Sequence, residues 1–311
     1  MVTDPLPELA PRLPSPLREV TDERFARRGV RLLLKRDDLI HPALPGNKWR
    51  KLVPNLRLAA EHGHHTVLTF GGAYSNHLRA TAAAGRLLGW RTIGVVRGDE
   101  LARQPLNDSL TRCAADGMRL HFVTRAAYRH RAEPAWIAEL HERFGDFHLV
   151  PEGGSNGAAV RGCAELGAEL RGHTDVAAVA CGTGGTLAGL AAGLAAEPEN
   201  GARRSGVSGA PAVALGIPVL RGGFLDREVT RLQRAAYGGP RGDWRLDDRF
   251  HGGGYARTTR ELEGFARDFE ARHPPVPLDR VYVAKLLYAL CQLADERAFP
   301  PDSTVTAVIT G

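Results

Sequence analysis

Short runs of apolar and β-branched residues alternate with longer stretches of helical apolar spacing along almost the whole chain. The strand-like runs fall at 31–35, 66–70, 92–96, 119–123, 147–150, 176–181, 212–218 and 304–309. Between them, helical patterns occupy 47–61, 77–88, 107–116, 158–170, 186–196, 258–272 and 281–297, with apolar positions recurring three or four residues apart. This alternation predicts an α/β fold with mainly parallel strands, since a parallel pair needs a crossover and a helix usually supplies it. The polar, Gly/Ser/Pro-rich stretch 197–211 reads as a loop, and the glycine- and charge-rich stretch 240–255 as a long functional loop. At 311 residues the chain exceeds one ordinary core. No linker or internal repeat is visible, so a second domain is expected as an insertion.

Composition then removes several function classes. Hydrophobic residues at 43% and charged residues at 24% suit a globular chain. No apolar run approaches the roughly 20 residues needed to span a bilayer. The proline-rich N-terminus lacks the basic-then-apolar order of a secretory leader, so a cytoplasmic location is expected and no membrane partner. Cys113, Cys163, Cys181 and Cys291 are scattered without a C-x-x-C pair, which predicts reduced, buried thiols. The net charge of +6 comes from arginines interspersed with acids, and only 6% of residues are aromatic. That argues against a nucleic-acid surface and for one that welcomes small anions. The EHGHH segment at 61–65 evokes a metal site, but no nearby Cys, Asp or Glu completes a ligand set and Gly63 reads as a helix C-cap. No metal is expected.

Four segments carry candidate chemistry. In LLLKRDDLIHPALPGNKWRKL, Gly46-Asn47 opens a helix with Lys48 in its first turn. A cation there opposes the helix dipole by roughly 0.3–1 kcal/mol, a cost that vanishes if the amine is neutral or condensed as an imine. Of 41 basic residues only Lys35, Lys48, Lys51 and Lys285 are amines, so the choice of nucleophile is narrow; Lys51 is the ordinary surface-helix alternative. In TFGGAYSNHLRATAAAG, a strand runs through two glycines into Ser75, Asn76 and His77 at a helix start, a seat for a carboxylate that equally reads as an N-cap. In DVAAVACGTGGTLAGL, a buried strand ends in Gly182, Thr183, Gly184, Gly185 and Thr186 before a helix. This is neither a Walker loop nor a dinucleotide fingerprint, and binding of a phosphate monoester is the better reading. Near the C-terminus, HGGGYA and LDRVYVAKLLYAL present Tyr255 and Tyr282, each of which alone reads as a packing residue.

Taken in order, SPLREV, LLKRDDL, PGNKWRKL, GGAYSNH, PEGGSN, CGTGGTLAGL, GIPVLRGG, HGGGYA and LDRVYVAK resemble the D-cysteine desulfhydrase and 1-aminocyclopropane-1-carboxylate (ACC) deaminase family. This family belongs to the fold type II, tryptophan-synthase-β-like pyridoxal-phosphate enzymes. The resemblance implies a large α/β domain from 1–49 and 156–311 with a smaller α/β domain, 50–155, inserted, and a homodimer. It implies pyridoxal 5′-phosphate held as a Schiff base on Lys48, which also shuttles the substrate α-proton. Asn76 would meet the cofactor's phenolic oxygen, 182–186 its phosphate and Thr310 its ring nitrogen. Ser75, Asn76 and His77 would lie against a small amino-acid substrate, with Tyr255 and Tyr282 lining its side and Tyr282 able to transfer protons. Two departures stand out. Val283 replaces the acid that follows the equivalent tyrosine in deaminases, and the sequence stops at Gly311 where relatives continue through another glycine turn. The first favours β-elimination from D-cysteine over deamination of ACC; a non-catalytic pyridoxal-phosphate-binding protein is the reading from another class.

Overall fold

Strand and helix boundaries follow the switch between short continuous apolar runs and helical 3.6-residue spacing. The computed structural model describes residues 6–195, 207, 209–274, 276 and 278–311; the loop expected at 197–211 lies almost wholly outside them. Strands are β1 Leu17–Val20, β2 Arg31–Lys35, β3 Thr66–Gly71, β4 Arg91–Arg97, β5 Arg119–Val123, β6 His148–Val150, β7 Val176–Cys181, β8 Val213–Pro218, β9 Trp244–Leu246 and β10 Thr304–Val308. Helices are α1 Glu23–Ala26, α2 Asn47–Glu61, α3 Asn76–Leu88, α4 Asp108–Ala115, α5 Pro134–Phe144, α6 Gly157–Leu170, α7 Gly185–Ala195, α8 Leu225–Tyr237, α9 Arg260–Arg272 and α10 Val283–Asp295. The stretch read as one long loop at 240–255 contains β9 and a short 3-10 turn, Asp248–Phe250.

The chain divides into two compact units. The smaller holds the described residues up to Pro11, His41–Leu44 and Lys48–Asn156; the larger holds Arg12–Ile40, Pro45–Asn47 and the described residues from Gly157 onward. The smaller unit thus reaches beyond the expected 50–155. One reason is local: Trp49 Nε1 donates to the Leu9 carbonyl at 2.8 Å, tying the start of the chain to α2.

In the smaller unit four parallel strands run in the order β5-β4-β3-β6. Alternate strand residues serve two separate cores. Leu68, Phe70, Ile93 and Val95 pack with Leu140 of α5, while Val96 packs with Leu78 and Ala82 of α3 and Leu110 and Cys113 of α4. The larger unit repeats the device on a six-stranded sheet, β1-β2-β10-β7-β8-β9, parallel except for β1. Ala178, Ala180, Ile217 and Ala307 join the cluster of α9 and α10; Ala177, Val179, Cys181 and Val308 join that of α6, α7 and α8. Strands buried on both faces need no polar alternation, which is why they read as continuous apolar runs. All four cysteines are buried and none is in a disulfide, and among the described residues no helix is long and apolar enough to cross a membrane.

Candidate active site

In each unit the candidate residues cluster where parallel strands end, the usual place for ligands in such sheets. In the larger unit β7 ends at Cys181 and the chain turns through 182–186 into α7. Gly184 makes that turn at φ +75°, a left-handed conformation that costs an L side chain roughly 1–2 kcal/mol. The first N–H groups of α7 have no partner within the helix. Asn47 Nδ2 donates to Thr186 Oγ1 at 3.0 Å, so the threonine hydroxyl keeps its own proton to donate. Backbone amides, a helix N-terminus and a hydroxyl donor together fit a phosphate monoester.

Tyr282 stands beside this loop: a Cβ placed on Gly182 would lie 3.5 Å from its ring and hydroxyl. Tyr255 meets Tyr282 edge-on, with ring centroids 6.3 Å apart. Two residues that sequence reading missed fix these rings. The Asp279 carboxylate accepts from the N–H groups of Val281, Tyr282 and Val283 at 3.0, 2.7 and 3.0 Å, capping α10. Lys285 Nζ donates to the carbonyls of His251 and Gly254, both at 2.8 Å, and so pins the glycine loop ahead of Tyr255. Burial lowers the Lys285 pKa to about 8. Asp279 lies four positions before α10 rather than at the N-cap position, so no cap rule singled it out, and nothing local announced the lysine. Thr310 follows β10 and touches Gly46, where a Cβ would fall 1.6 Å from the Thr310 carbonyl oxygen. Only glycine admits that contact, one residue before Asn47. Val283 is 1% exposed within the apolar cluster of α10.

In the smaller unit, β3 runs through Gly71 into α3. Ser75 caps α3, its Oγ accepting from Leu78 N at 3.2 Å, and the Asn76 side-chain carbonyl accepts from Arg79. His77 is buried. Its Nε2 lies 2.8 Å from Thr69 Oγ1, and that hydroxyl gives its only proton to the Val150 carbonyl at 2.8 Å. His77 must therefore donate from Nε2, which leaves Nδ1 as a buried lone pair without a partner. Burial holds the His77 pKa well below the usual histidine value, and the charges of Lys48 and Lys51 push the same way. Lys48, half-buried in the first turn of α2, is thus close enough for its charge to be felt at His77. Lys51 serves the frame: its Nζ donates to Gly153 O and Ser155 Oγ, both at 2.7 Å.

One juxtaposition lay outside the sequence reading: His148 on β6 comes together with His62 and His64, one ring nitrogen from each lying within 4.8 Å of the others. The register of β6 on β3 brings it there, and no spacing rule could have shown it.

A family model described as pyridoxal-phosphate dependent enzyme matches residues 11–311. The bifunctional D-cysteine desulfhydrase/1-aminocyclopropane-1-carboxylate deaminase of Arabidopsis thaliana is 32% identical over 181 residues, 53% of this chain and 45% of that protein. The alignment thus spans about half the length of that relative. The D-cysteine desulfhydrase of Klebsiella pneumoniae is 29% identical over 305 residues, 91% of this chain and 87% of that protein. Among solved structures, an ACC deaminase homologue superposes with a TM-score of 0.78 at 26% identity, covering 100% of this chain and 95% of that one.

Proposed function

The chain belongs to the family of pyridoxal-phosphate dependent enzymes, and on that premise we propose that it is a lyase catalysing β-elimination from a small β-substituted amino acid of the D-cysteine type. When bound, pyridoxal phosphate supplies an electron sink that draws charge from the substrate α-carbon as its proton leaves. The chain's residues do the rest. Lys48 would hold the cofactor covalently through its amine and, once the substrate's own amine has taken its place, would be free to take the α-proton. The 182–186 loop and Thr186 hold the phosphate, Asn76 the phenolic oxygen, and Thr310 the ring nitrogen. Ser75, Asn76 and His77 receive the substrate, whose other side Tyr255 and Tyr282 line, with Tyr282 able to move a proton. Loss of the α-proton and of sulfide leaves an enamine that water converts to pyruvate and ammonia. We further place the enzyme in the cytoplasm as a homodimer.

Relatives bear both activity names, and one observation carries the ranking between them: Val283, buried in the apolar core beside Tyr282. A carboxylate there would keep the pyridine nitrogen protonated; valine offers it nothing. A weaker sink suits β-elimination, where a good leaving group departs once the α-proton is gone, better than opening of a cyclopropane ring. The test is pyruvate release from D-cysteine and from ACC under identical conditions, with D-cysteine expected to be faster. Faster turnover of ACC would reverse the ranking. No turnover of any amino acid by cofactor-loaded protein would favour a non-catalytic carrier.

A further inference from the structure

Three imidazoles meet at one end of the smaller unit's sheet, away from every residue assigned a role above. His62 and His64 flank Gly63, which closes α2 at φ +75° with its N–H on the Ala60 carbonyl. That left-handed turn reverses the chain so that residues on either side of it share a face. His148 opens β6 and pairs in register with Val67, three residues after His64. The rings lie 6.0 to 6.5 Å apart between centroids, and one ligand nitrogen from each falls within 4.8 Å of the others.

Two further observations point to a ligand rather than to chance crowding. His64 Nδ1 is 2.9 Å from Asp146 Oδ2. A carboxylate on one ring nitrogen is how metal-bound histidines are usually held, and it leaves the other, Nε2, available to an ion. The other two rings have no structural duty: neither His62 nor His148 makes a side-chain hydrogen bond among the described residues. Side chains at least partly open to solvent can turn at little cost. We propose that His62, His64 and His148 bind one divalent transition-metal ion, with zinc the first candidate, Asp146 holding His64 and water in the fourth position. Tetrahedral zinc at about 2.0–2.1 Å from each nitrogen needs ligand atoms about 3.3 Å apart, so nitrogens now within 4.8 Å of one another close by about 1.5 Å at most. Neutral imidazoles also suit nickel and copper, and copper binds any such set more tightly. The ion would cross-link the C-terminal turn of α2 to β6, which is an edge strand of only three residues.

The test uses tag-free, cofactor-loaded enzyme titrated with zinc against a chromophoric chelator, and with cobalt followed by its visible spectrum. Expected are one equivalent of zinc at micromolar affinity or better, a tetrahedral cobalt spectrum and a raised Tm. His62→Ala and His148→Gln should each weaken zinc binding at least tenfold and abolish the Tm rise. Pyruvate formation and the metal-free Tm should stay at wild-type values, since neither ring is hydrogen-bonded. Zinc affinity only in the millimolar range, or equal affinity in wild type and both variants, would overturn the site. Because the readout is metal binding, it stands or falls separately from the proposed lyase reaction.

Discussion

Lys48 and Lys51 sit one turn apart on α2, and their surroundings divide their tasks. Lys51 bridges Gly153 and Ser155, Lys35 donates to the Ser15 carbonyl and pairs with Glu169, and Lys285 holds two carbonyls of the glycine loop. Each of these three ammonium groups is a strut whose loss would strand a buried carbonyl. Lys48 alone follows directly on Asn47, whose amide binds the 182–186 loop through Thr186. Borohydride reduction of the holoenzyme is therefore expected to fix the cofactor to the peptide containing Lys48. Lys48→Ala should cut pyruvate formation by at least about a hundredfold, as loss of a positioned acid–base group does. Label recovered on Lys51 or Lys285 would refute the assignment. Lysine scarcity made this residue legible from sequence; the partners of the other three lysines were not, because each contact joins residues far apart in the chain.

At the scale of elements, α7 begins where Gly184 turns left-handed, and a Cβ there would also lie 2.9 Å from Val229 Cγ2 of α8. Gly184→Val should displace the loop at a cost of roughly 1–2 kcal/mol, equivalent to about tenfold weaker cofactor retention on dialysis. Pyridoxal lacking its phosphate should bind the wild type much more weakly than the phosphate ester does. Equal retention in both comparisons would mean that the loop is only a turn. Some elements were legible almost to the residue, since β2, β5, β7 and α2 have the expected bounds, whereas the helices α5 and α8 were not expected. The strands β1 and β9 were not. They are short, with only four and three residues, and neither is buried on both faces. Their pairing, antiparallel on β2 and parallel on β8, is a tertiary outcome that no local pattern encodes. The site divides in the same way, with glycine turns and helix starts readable while Asp279, Lys285 and Asn47 emerged as partners only in the fold.

For the whole molecule, the neutral histidines set how stability responds to acid. Burial lowers the pKa of His77 well below the usual value. It also lowers those of His41, whose Nδ1 accepts from the N–H groups of Ala43 and Leu44, and of His121, which faces Arg143 and Arg119. Unfolding returns each to an ordinary pKa near 6.5. Below that value the unfolded chain binds protons that the folded one refuses, so stability must fall as pH falls. Above it neither state is protonated and the contribution is flat. A histidine kept fully neutral steepens the fall by about 1.4 kcal/mol per pH unit. Carboxylates act only later: burial works against the charge of Asp22, but hydrogen bonds from Arg24 and His273 keep its pKa far below the usual range. Metal-free enzyme unfolded in urea should therefore lose stability steadily from pH 6.5 to 5, before carboxylates titrate. His77→Gln, which can still donate to Thr69, should show a shallower slope by close to one proton. A wild-type slope in that variant, or a His77 ring that titrates near 6.5 by NMR, would mean that the neutral, Nε2-protonated ring deduced from the Thr69 and Val150 contacts is wrong.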